Sequence, residues 1–110
     1  IDVRTDQMIT GIKTFNKLLQ VKPTVDGTVN QGIRICRQPN NQWSDIQIVW
    51  NKDNITGYID NQWIIGTSGN DVQNPLGFVI INAGQETQAN RGLMISADGN
   101  TLTFNGSVIA

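Results

Sequence analysis

Few residues in this chain of 110 could do chemistry, and the gaps are informative. There is no histidine. That removes the commonest general base, the Ser–His and Cys–His nucleophile pairs and the usual zinc ligands. Cys36 is the single cysteine, so the chain has no internal disulfide and no thiolate cluster for a metal. Beside Ile33 and Ile35, Cys36 is expected to be a small buried hydrophobe. Glu86 is the single glutamate. A glycosidase needs two carboxyl groups flanking one bond. Asp45, Asp53 and Asp60 are the candidates, but each sits at a strand edge or turn, where aspartate is structurally ordinary. Residues 66–71, "GTSGND", lack the Lys-Ser/Thr of a phosphate-binding loop, and no helix pattern follows them. Residues 51–54, "NKDN", lack the downstream Gly and Glu of a calcium loop. The sequons at Asn54 and Asn105 read as chance matches in a chain with 13 Asn. Non-enzymatic function without a cofactor or metal is therefore expected.

The aromatic residues are the remaining candidates for contact chemistry. Trp and Tyr join apolar area to a polar handle, which suits sugar and protein surfaces. Trp50 shares a period-two face with Ile46 and Ile48 and is expected in the core. Trp63, ahead of Ile64 and Ile65, reads either way. Trp43 follows "PNNQ" with polar neighbours on both sides and is expected to be the most exposed of the three tryptophans.

Composition describes the scaffold. Hydrophobic residues make up 38% of the chain and charged residues 15%, with a net charge of −1. The length suits one domain. Such weak charge gives no phosphate-tracking surface, so nucleic acid is not an expected partner. No apolar run approaches the ~20 residues of a membrane helix. The 15 Ile, 8 Val and 10 Thr outweigh 5 Leu and 4 Ala, and β-branched side chains favour pleated sheet over helix. The 10 Gln and 13 Asn supply hydrogen bonds without the desolvation penalty of charge.

Strand signals recur at short spacing. Residues 32–38 and 44–50 alternate with period two, separated by the turn residues of "QPNNQ". Residues 57–66 read as a hairpin about Asp60-Asn61. Residues 67–77 read as a loop. "FVIIN" at 78–82 reads as a strand buried on both faces, and residues 83–92 as a second loop. Residues 93–104 form the best hairpin signal, with Asp98-Gly99 at the turn, and residues 106–110 suit a final edge strand. About seven or eight short antiparallel strands are expected, in an all-β, sandwich-like domain over residues 23–110.

Residues 5–20, "TDQMITGIKTFNKLLQ", fit neither strand nor helix well. Met8, Ile9, Ile12, Phe15, Leu18 and Leu19 are too many apolar residues for a free tail. Spacings of three and four leave room for a short helix, and Gly11 and Thr14 oppose a long one. Within this stretch, Asp6, Gln7, Ile9, Thr10, Gly11, Lys13, Thr14 and Phe15 match a pattern. The segment resembles the Asp-Gln-x-Ile-Thr-Gly-x-Lys-Thr-Phe motif of tail-fibre proteins of tailed bacteriophages and prophages. It covers about a tenth of the chain. "GNTLTFNGSVIA" at the C-terminus is similar to such fibres more weakly.

The resemblance implies a parallel homotrimer, carried in the virion as part of a tail fibre and assembled in the host cytoplasm. It implies adsorption to a bacterial surface polysaccharide or an outer-membrane protein, and it carries over no catalytic or metal residues. Residues 1–22 then form a shaft-like trimerisation segment, with Met8, Ile9, Ile12, Phe15, Leu18 and Leu19 at the threefold axis. Loop and turn positions are the expected receptor contacts: Trp43, Tyr58, Asn40, Asn41, Gln42, Asn70 and Asp71. Two alternatives remain: a spacer domain with receptor binding elsewhere, and a fragment of a polysaccharide-degrading spike. A chain opening on Ile1 is expected to be a piece of a longer protein.

Overall fold

β-Branched side chains at every second position favour extended backbone, and the segments that carry them form a sheet. A computed structural model of the chain describes residues 7–22, 32–37, 43–50 and 58–110. The chain divides into two units, Ile1–Arg34 and Ile35–Ala110.

In the first unit, residues 7–22 contain neither helix nor strand, and every one of their side chains is exposed. Met8, Ile9, Ile12, Phe15, Leu18 and Leu19 are all more than half exposed. The Lys13 ammonium lies 5.9 Å from the centre of the Phe15 ring. An exposed contact of this type contributes about 0.5–1 kcal/mol, too little to order the segment by itself.

The second unit is an antiparallel meander. Its strands are β1 (Ser44–Ile48), β2 (Trp63–Thr67), β3 (Phe78–Asn82), β4 (Leu93–Ile95), β5 (Leu102–Phe104) and β6 (Ser107–Val108). Each pairs with its sequence neighbour, giving one six-stranded sheet in the order β1-β2-β3-β4-β5-β6. The all-β, antiparallel character agrees with the composition. Among the described residues no helix is long and apolar enough to cross a membrane.

Register sorts the side chains onto two faces. On one face, Asp45, Gly66, Val79, Met94, Thr103 and Val108 form a row, beside Gln47, Ile64 and Ile81. Ile64, Val79 and Ile81 are fully buried there, with Ala83, and Trp43, Tyr58 and Met94 pack against them. The opposite face carries the row Ile46, Ile65, Ile80, Leu93 and Phe104. Beside it run Thr67, Phe78, Ile95 and Leu102 on one flank and Ile48, Trp63 and Asn82 on the other. This second face is the more apolar of the two, yet Ile46, Ile48, Trp63, Phe78 and Phe104 are exposed on it.

Several expectations are corrected. Residues 32–37 form no strand: they alternate, but among the described residues no strand pairs with them. Cys36 is exposed there rather than buried. Trp50 is exposed rather than in the core, because β1 ends at Ile48 and the face of Ile46 and Ile48 is the uncovered one. Asp60 and Asn61 do turn the chain, with Asn61 at φ 65°. Tyr58 and Ile59, however, are not a strand, and β2 pairs with β1 and β3 instead. β3 has the expected bounds but is buried on one side, since Phe78 is exposed and Ile80 half-buried.

Two amide-rich loops cover the core face. Buried Ser68 donates its hydroxyl to the Asn74 carbonyl, and its N–H bonds Gly77 O at 3.0 Å. Asn74 Nδ2 reaches across to Ile95 O at 3.0 Å. The loops tie to each other through a reciprocal pair: Gln73 Nε2 donates to Asn90 Oδ1 at 2.8 Å, and Asn90 N donates to Gln73 Oε1 at 2.6 Å. An amide both donates and accepts, which explains part of the Asn and Gln excess.

The tight turns follow their chemistry. Asn105 and Gly106, both at positive φ (47° and 86°), join β5 to β6 as an Asn-Gly hairpin turn. Asn105 Oδ1 also accepts from Gly92 N at 2.9 Å. Between β4 and β5, Asp98 Oδ1 accepts from Ser96 Oγ at 2.6 Å and from Asn100 N at 2.9 Å. The Ser96 hydroxyl, then the Asn100 amide, hold the Asp98 carboxyl below the usual aspartate range. A depressed native value means that this stabilisation is present above the unfolded-state value and is lost as pH falls through the native one. NMR titration of the Asp98 carboxyl carbon is expected to give a midpoint below that of an ordinary aspartate. Ser96→Ala should move the midpoint back up.

Candidate functional site

The core face supplies the floor of a groove, and the two loops supply its walls. Met94 on β4 and Trp43, which enters β1, form apolar surface. Asp71, Gln73 and Asn74 approach from the β2–β3 loop, and Glu86, Thr87 and Gln88 from the β3–β4 loop. The hollow measures about 250 Å³. A second hollow of about 150 Å³ adjoins it, sharing Gln73, Asn74 and Met94 and continuing to Ser96, Thr101 and Thr103. Each is below the ~300–1,000 Å³ of a drug-type pocket. The track therefore fits ring-sized groups of an extended ligand laid along it.

Its chemistry is one aromatic wall, several amides and hydroxyls, and the carboxylates of Asp71 and Glu86. Lys and Arg are not among the lining residues. Glu86 is fixed by accepting Gly84 N at 2.5 Å through Oε2, and Gln88 Nε2 donates to Gly84 O at 3.3 Å. The β3–β4 loop thus presents its polar groups from a closed turn. No group of metal-ligating side chains occurs among the described residues.

Of the expected contact residues, Trp43 and Asp71 line the groove together. Asn70 is exposed on the same loop outside it. Asn40, Asn41 and Gln42 lie outside the described residues. Tyr58 does not line the groove; its hydroxyl donates to Asp45 Oδ2 at 2.5 Å, and its ring packs on the core. The expected order of the tryptophans is reversed, with Trp43 half-buried and Trp50 and Trp63 exposed. Trp43 immediately precedes β1 and leans on the covered face, which its polar neighbours conceal. Gln73 and Gln88 carry no signal in the sequence, and Glu86 stands out there only as the single glutamate, because only the folding of two loops toward each other makes the three neighbours.

Tyr58 offers a direct check on this side of the sheet. Burial first, then the hydrogen bond to Asp45 and the charges of Asp45 and Glu86, push its hydroxyl well above the usual phenol range. Its raised native value gives stability that is fully present below the unfolded tyrosine value and fades as pH rises through the native one. As the single tyrosine, it can be followed without ambiguity. Tyrosinate absorbance is expected to rise later in alkali than in a free tyrosine, and to rise at the ordinary pH once the chain is unfolded.

In comparisons with known proteins, no family model matches the chain, no curated protein matches it and no solved structure matches it.

Proposed function

We propose that this chain is a tail-fibre domain of a tailed phage or prophage, at or near the fibre tip. As a homotrimer it attaches the virion to a bacterial surface polysaccharide through the groove between the two loops. The observation that carries this reading is the groove's composition. Trp43 offers an indole face for the apolar side of a sugar ring, and Gln73, Gln88, Asp71 and Glu86 offer donors and acceptors for its hydroxyls. Two lining carboxylates, with no Lys or Arg among the lining residues, favour neutral over acidic glycans. The tail-fibre pattern of residues 6–15 supports the setting, and the exposed apolar residues of 7–22 support assembly.

Each groove is small and its affinity weak. A rigid head with three copies compounds that affinity when the surface presents repeated ligands. Function is binding without catalysis. The purified chain is expected to block adsorption of the parent particle to its host, and a neutral oligosaccharide from the host surface is expected to relieve that block. Failure to block at saturating chain would favour the spacer reading, in which this domain sets trimer register and another part of the fibre binds. A protein receptor is the reading left if blocking persists after the surface glycans are stripped.

A further inference from the structure

We infer that the open face of the sheet is the interface between copies of this chain, so that the second β layer comes from neighbouring copies. The loops cover the other face and leave this one bare, although it is the more apolar. Ile48, Trp63 and Phe104 on it are 56%, 50% and 51% exposed. With ~150–250 Å² per large aromatic side chain, Trp63, Phe78 and Phe104 alone leave roughly 300 Å² open. The exposed isoleucines and the half-buried row between them bring the face close to the ~800 Å² per partner of a standard interface. That exceeds the apolar patch of an ordinary monomer, about 300–600 Å².

The chemistry of the face points to a copy of itself as the occupant. No residue that β1 to β5 place on this face is charged. A charged rim would select a complementary partner. A neutral one meets its own symmetry copy without like-charge repulsion. Its polar members stand at the margins: Ser44 and Thr67 share a hydroxyl hydrogen bond of 2.6 Å, and Asn82 ends β3. An apolar face with an aliphatic centre, aromatic residues around it and a neutral polar margin is compatible with the anatomy of a subunit interface. Without basic residues the face lacks the electrostatic attraction that draws a protein to an anionic lipid surface. Facing sheets pack ~10 Å apart with interleaved side chains. The number of copies rests on the homotrimer reading; the identity of the buried face does not.

The test compares solution masses by light scattering. Wild type is expected at three times 12.1 kDa. Ile48→Lys/Phe104→Lys is expected to fall to a single copy while keeping its β circular-dichroism signal, since both positions are exposed in one copy. A wild-type dimer that this variant dissociates would uphold the interface and overturn the trimer. If the variant stays trimeric while Ile9→Asp/Ile12→Asp/Phe15→Asp dissociates, the trimer stands and the sheet-face interface falls. A wild-type monomer overturns both. Hydroxyl-radical footprinting of the unaltered protein covers the case of a variant that does not fold. Trp63 and Phe104 should be protected relative to their intrinsic reactivity, and labelling at the rate of open side chains refutes the interface.

Discussion

Trp43→Ala is expected to lower adsorption of the assembled protein to cells by about two to four orders of magnitude. Truncating a tryptophan at a binding hot spot removes ~2 kcal/mol or more, which is roughly 30-fold at one site. Three linked sites compound the loss, toward the ~10²–10⁴ that multivalency adds to a weak affinity. Trp43 also packs on the core, so the stability effect must be separated from the binding effect. Trp43→Phe keeps an aromatic wall and is expected to retain most adsorption. Comparing cell binding with the melting temperature for both variants makes the separation. If Trp43→Ala binds as well as wild type, the groove is not the receptor site. If both variants lose adsorption only in proportion to the fraction unfolded, Trp43 has a packing role alone.

The strands were legible where alternation and turn chemistry agreed. "FVIIN" gave the bounds of β3 correctly, and Asp98-Gly99 gave the β4–β5 turn, because both signals are local. Asn105-Gly106 is an equally strong turn signal, one that the sequon reading of Asn105 obscured. Alternation failed at residues 32–37, where a period-two pattern meets no partner strand among the described residues. It also left open which face would be covered. Ile46, Ile48 and Trp50 share a face in the sequence, and nothing local says that the loops fold onto the side of Asp45 and Gln47. That choice is made by contacts such as Asn74 to Ile95 and Gln73 to Asn90, which join residues far apart in the chain. The groove inherits the same limit: Trp43 and Asp71 were candidates as individual residues, while Glu86, Gln73 and Gln88 became neighbours only once the loops closed.

The two faces give β3 a pair of adjacent residues whose substitutions should behave differently. Ile81 is fully buried on the core face, opposite Ile64. The Gly92 backbone rests against it: a Cβ at Gly92, whose φ is +79°, would stand 3.0 Å from Ile81 Cγ1. With backbone on one side and a paired strand on the other, the site has little freedom to collapse around a smaller residue. Ile81→Ala is therefore expected to cost about 2–5 kcal/mol, a large share of the ~5–15 kcal/mol that holds a domain folded. The loss is internal to one chain, so urea unfolding should show the same decrement at any protein concentration. Ile80 points the other way, into the row between Ile65 and Leu93. In a lone chain Ile80→Ala removes a half-buried side chain and loses less. If neighbouring copies cover that face, the variant also weakens assembly, and stability coupled to assembly depends on protein concentration. Ile80→Ala is thus expected to cost most where the protein is fully assembled and to shed that extra penalty on dilution below dissociation, while Ile81→Ala costs the same throughout. Two concentration-independent decrements, with Ile80→Ala much the smaller, would leave the core face intact as described and remove the case for a covered second face.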